Sequence, residues 1–65
     1  MALLASAPTL EKLSESITCF YAGEEKEIVP ESDGIWRVCF KDNGMPMIGV
    51  RVRLYRNRYR FETIL

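Results

Sequence analysis

A chain of 65 residues with nine basic side chains, nine acidic ones, two cysteines and no histidine makes one small domain, residues 1–65. Folding at this length hides only about 60% of the unfolded chain's surface, so stability is a few kcal/mol and a deep active-site cavity is not expected. Without histidine the usual acid–base partner of a serine or cysteine nucleophile is missing, and two thiols alone cannot complete a tetrahedral zinc site, which argues for binding rather than catalysis and for no cofactor.

The net charge of zero conceals a lopsided distribution. Residues 1–34 carry seven acids (Glu11, Glu15, Glu24, Glu25, Glu27, Glu31, Asp33) against Lys12 and Lys26, a balance of −5. Residues 35–65 carry seven bases (Arg37, Lys41, Arg51, Arg53, Arg56, Arg58, Arg60) against Asp42 and Glu62, a balance of +5. That asymmetry points to a nucleic-acid or acidic partner, or to an acidic half packed beside the basic one. The opening Met1-Ala-Leu-Leu-Ala-Ser-Ala lacks a basic start and is too short an apolar run for a signal peptide. No stretch approaches the roughly 20 apolar residues of a membrane span, so the expected setting is the cytoplasm, with reduced thiols and no membrane contact.

In chain order, residues 1–6 read as a flexible arm. A helix is expected over 8–21, with Ser6 or Thr9 as its cap and Pro8 in its first turn. Leu10, Leu13, Ile17 and Phe20 or Tyr21 form its apolar stripe, and Gly23 suits the left-handed residue after it. The β-branched and aromatic Ile17-Thr-Cys-Phe-Tyr is the segment most open to a strand alternative. Lys26–Val29 is at best an edge strand, because Pro30 cannot donate to a ladder. Glu31-Ser-Asp-Gly34 is turn chemistry, and Ile35–Lys41 is a strand with Trp36, Val38 and Phe40 on one face. At Asp42-Asn43-Gly44 a three-residue loop with Gly44 left-handed and a bulge pairs Trp36 with Val50 and Val38 with Ile48; a bulge at Gly49 would rescue a two-residue loop instead.

Gly49–Ile64 is the most informative stretch. Two alternating runs flank Arg56-Asn57, and a loop of two or four residues there places Leu54 opposite Tyr59, Arg53 opposite Arg60, Val52 opposite Phe61 and Arg51 opposite Glu62. One face, Val50, Val52, Leu54, Tyr59, Phe61 and Thr63, belongs to a core. The other carries Arg51, Arg53, Tyr55, Arg58 and Arg60, with Glu62 as its acid. Arg53 facing Arg60 destabilises a ladder by a few tenths of a kcal/mol unless solvent or an anion compensates.

The expected architecture is α+β: one N-terminal helix packed on a three- to four-stranded antiparallel meander, with the sheet over 35–64 and a possible extra edge near Ile28. The functional expectation is a small binding protein whose basic two-stranded ribbon takes nucleic acid through Arg51, Arg53, Tyr55, Arg58 and Arg60, since such a ribbon fits a DNA major groove and Tyr55 can stack on an unpaired base. The alternative is a protein-interaction module, or a homodimer, in which the ribbon meets an acidic protein surface such as Glu24–Glu31.

Overall fold

A computed structural model describes residues 2–20 and 24–64. The chain runs β1 (Leu3–Ala7), α1 (Leu10–Phe20), β2 (Lys26–Ser32), β3 (Ile35–Phe40), β4 (Val50–Tyr55) and β5 (Arg58–Thr63). All five strands join one antiparallel sheet in the order β1-β5-β4-β3-β2, with α1 on one face. The α+β class is as expected, but the sheet has five strands rather than three or four.

The extra strand comes from the stretch expected to be a flexible arm. Leu3–Ala7 pairs with β5 across a bulge between Leu3 and Ala5, and Ala2 is tied down by its N–H donating to Thr63 Oγ1 at 2.8 Å. Alanine and serine have weak strand preference, so it is the open edge of β5 that draws this segment into the sheet. Ala7 ends buried against the core, where a small side chain lets the helix start close by.

Only Pro8 and Thr9 separate β1 from α1. Thr9 is the cap: its Oγ1 accepts from Lys12 N–H at 3.1 Å and its carbonyl from Leu13 N–H at 3.0 Å. The helix therefore starts two residues later than expected, and Ser6, the other candidate cap, lies in β1. Thr18 stays helical with its hydroxyl bonded back to Ser14 O at 3.0 Å, while Leu13 and Ile17 point into the core. The Phe20 side chain, Tyr21 and Gly23 lie outside the described residues.

β2 forms the far edge of the sheet. Lys41 N–H donates to Glu25 O at 3.0 Å, and the alternation from that pair makes Pro30 opposite Trp36 a non-hydrogen-bonded pair. The missing N–H of Pro30 thus faces the open edge, where it breaks no ladder bond.

The β4–β5 hairpin has the register read from its alternation, from Val50↔Thr63 to Tyr55↔Arg58. Its two-residue turn holds Arg56 at φ 50° and Asn57 at φ 64°, the mirror-image geometry that matches strand twist. The β3–β4 connection departs from the expected register. Gly44 is left-handed (φ 71°) and bulged, with its N–H on Phe40 O at 2.8 Å and Phe40 N–H on Met45 O at 2.9 Å. Met47 N–H then reaches Val38 O at 2.8 Å, but Trp36 pairs with Val52, not Val50. The slack is taken up at Ile48-Gly49, with Gly49 at φ 81°. Met47 and Val50 both pack on the core as a result, and Ile48, expected inside, is 87% exposed.

The core is Ala7, Leu13, Ile17, Val38, Val52 and Phe61. Trp36 is half-buried at its margin, edge-on to Tyr59 with ring centroids 5.3 Å apart, and Phe61 occupies the centre. Leu54, also expected inside, is exposed at the hairpin tip.

Candidate nucleic-acid interface on the uncovered sheet face

Residues paired across an antiparallel ladder point to the same side, so the register assigns the face opposite α1. It carries Glu27 and Val29 from β2, Ile35, Arg37 and Cys39 from β3, Arg51, Arg53 and Tyr55 from β4, Arg58, Arg60 and Glu62 from β5, and Leu3 and Ser6 from β1. The five residues expected to form a site, Arg51, Arg53, Tyr55, Arg58 and Arg60, therefore share one surface. That surface belongs to a wide sheet, however. β4 is its central strand and β5 lies between β4 and β1. Five strands at about 4.8 Å spacing span about 19 Å, too broad to enter a major groove about 12 Å wide.

Glu62 organises the arginines. It is 2% exposed, yet it lies on the uncovered face, roofed by guanidinium groups rather than by the helix. Arg53 Nε lies 3.2 Å from Glu62 Oε1, Arg60 Nε 3.6 Å from the same oxygen, and Arg51 Nη2 3.4 Å from Oε2. The like-charged pair Arg53↔Arg60 is thus held by one carboxylate two pairs along the ladder on the same face. On the other side it is held by the Tyr55 ring: Arg53, Arg60 and Arg56 place their guanidinium carbons 5.0, 5.6 and 5.3 Å from its centroid. Arg58 donates from Nε to Ser6 Oγ at 3.0 Å.

The arginines keep an exposed side. The side chains of Arg51, Arg53 and Arg60 are 26–33% exposed, and Leu54–Arg58 at the tip are all exposed. Of the acidic segment, Glu31 shares a groove with Arg51, while Glu25 is engaged elsewhere. Glu25 pairs with Lys41 at 3.9 Å with both side chains exposed, and β3 stands between β2 and the ribbon.

Two features escaped sequence reasoning. Arg56 was legible only as the middle of a turn, but it joins the cluster around Tyr55. Lys26 gave no signal at all: it is 6% exposed, paired with Phe40 across the ladder, with Nζ donating to Glu24 O at 2.6 Å and 5.6 Å from the Phe40 ring. Both cysteines are free thiols, Cys19 exposed and Cys39 buried. Among the described residues no group of three or more acidic or cysteine side chains is placed to hold a metal ion, and no helix is long and apolar enough to cross a membrane. No family model matches the chain, and comparison with curated proteins and with solved structures finds no match.

Proposed function

We propose that this protein binds single-stranded nucleic acid across the uncovered face of its sheet, with the arginines of the β4–β5 hairpin on the phosphate backbone. The observation that carries the reading is one cluster: Arg51, Arg53, Arg56, Arg58 and Arg60 gathered around Tyr55 and a single buried carboxylate, Glu62. Five positive charges less one negative leave a net charge of about +4 on this part of the surface, which draws and holds a polyanion. A flat sheet suits an extended strand better than a duplex, whose grooves it cannot enter. Arg56 adds weight, because it occupies a left-handed turn position that asparagine or glycine fills at lower cost, and it sets a guanidinium beside Tyr55 there.

The reading is of a binding protein without catalysis. Its test is fluorescence anisotropy with a single-stranded oligonucleotide over a range of salt. Four net phosphate contacts give a slope of log K against log salt of about −3 on a single strand. Failure to bind at low salt even at high micromolar protein would sink the reading and favour the alternative, an acidic protein surface or a second copy of the chain against the same face.

A further inference from the structure

The register break between β3 and β4 opens the uncovered face beside the arginine cluster. Trp36 is paired with Val52 and Val38 with Met47, so four residues of one strand pass a single residue, Arg37, of the other. The surplus turns outward at Ile48-Gly49 and the strands part. The gap is an open groove of about 590 Å³ whose lining includes Ile35, Arg37, Ile48, Arg51, Ile64 and Glu31. Arg51 also reaches Glu62, so groove and cluster are continuous.

Ile48 lies outside the core. It is 87% exposed, turned away from the core, and shares the groove with Ile64, itself 46% exposed. Two aliphatic side chains beside the open mouth of a groove with two arginines have the composition of a ligand site: apolar walls with a few charged groups, in the size range of roughly 300–1,000 Å³.

The geometry points to this groove as the seat of an unstacked nucleobase, flanked by Arg37 and Arg51 on the neighbouring phosphates. The inference rests on the proposed single-strand binding and adds that bases, as well as backbone, are gripped. Ile35 and Ile48 offer apolar surface to the base. Glu31 accepts hydrogen bonds from a base's amino group and repels a phosphate, which sorts base from backbone within the groove. An acidic peptide has the charge for the arginines, but its carboxylates would meet Glu31.

The experiment compares a mixed-sequence DNA strand of about 12 nucleotides with an abasic strand of the same length and charge. Wild-type protein is expected to bind the base-containing strand about tenfold tighter, the size of gain expected from burying one base against aliphatic side chains. Ile48→Ser should narrow that gap to under about threefold by removing a wall of the groove, leaving abasic binding unchanged. Because Ile48 is so exposed, its thermal unfolding should match wild type. Arg58→Ala, away from the groove, should weaken both strands alike. Equal wild-type affinities would overturn the base site and leave backbone binding standing. A gap that survives Ile48→Ser would overturn the groove as its location. Loss of binding to both strands in wild type would remove this proposal along with the function it rests on. Polyglutamate of equal charge binding as tightly as the base-containing strand would overturn it in favour of an acidic protein partner.

Discussion

On the inner face of the β4–β5 ladder Val52 stands opposite Phe61, both fully buried with Leu13 and Ile17 of the helix. One residue along, on the outer face, Arg53 stands opposite Arg60 with no helix above them. The first pair holds the strands together by removing apolar surface from water, a non-directional gain of roughly 1.5–3 kcal/mol per large side chain. The second pair would push them apart. It is tolerated because Glu62 lies beneath it and Tyr55 beside it, both on the same two strands. Stability therefore resides mainly on one face, and the other holds its charges in a fixed arrangement at little net gain, since a buried ion pair roughly returns what its desolvation costs. Such a division leaves the outer face free to serve a ligand.

The inner face should dominate any stability measurement. Phe61→Ala removes the side chain at the centre of the core and is expected to cost about 3–5 kcal/mol, which leaves a domain of this size largely unfolded at 25 °C by circular dichroism. A variant that still melts near wild type would overturn the contrast between the faces.

Glu62→Ala comes next. It leaves three guanidinium groups facing one another without their carboxylate, and about 2–3 kcal/mol should be lost in urea denaturation. Salt sharpens the distinction. Roughly 1 M salt screens the remaining repulsion between partly exposed arginines and should restore part of the Glu62→Ala loss, whereas Phe61→Ala should show no such specific recovery. Equal responses of the two variants would mean that Glu62 acts through packing alone.

At the hairpin tip the change should be favourable. Asn57 sits at φ 64°, and Asn57→Gly completes the preferred mirror-image turn without removing a side chain from the core. A gain of about 0.5–1 kcal/mol in unfolding free energy is expected, read as a higher urea midpoint at unchanged slope. The smallest effect belongs to Arg58→Ala. Its exposed bond to Ser6 contributes little, so stability should stay within about 0.5 kcal/mol of wild type. The same change should flatten the salt dependence of single-strand binding by about 0.7. A large loss of stability with no change in slope would assign Arg58 to the fold and not to the ligand.

What the sequence determined by itself was local. Alternation on either side of Arg56-Asn57 prescribes the β4–β5 register, because side chains on a strand switch faces every residue and a two-residue turn leaves no slack. The same period places Arg51, Arg53, Tyr55, Arg58 and Arg60 on one side, and the apolar stripe marks α1, whose cap the sequence leaves between Ser6 and Thr9. Tertiary structure decided the rest. Leu3–Ala7 carries no strand signal of its own and becomes a strand because β5 offers it an unpaired edge. The shift at Ile48-Gly49 follows from three-dimensional packing: Met47 and Val50 both reach the core only if the chain between them turns aside, which expels Ile48. Glu62 reads as one acid among arginines, and its burial exists only once Arg51, Arg53 and Arg60 from two strands close over it. Local periodicity reports which way a side chain points; what stands there to meet it depends on residues distant in the chain.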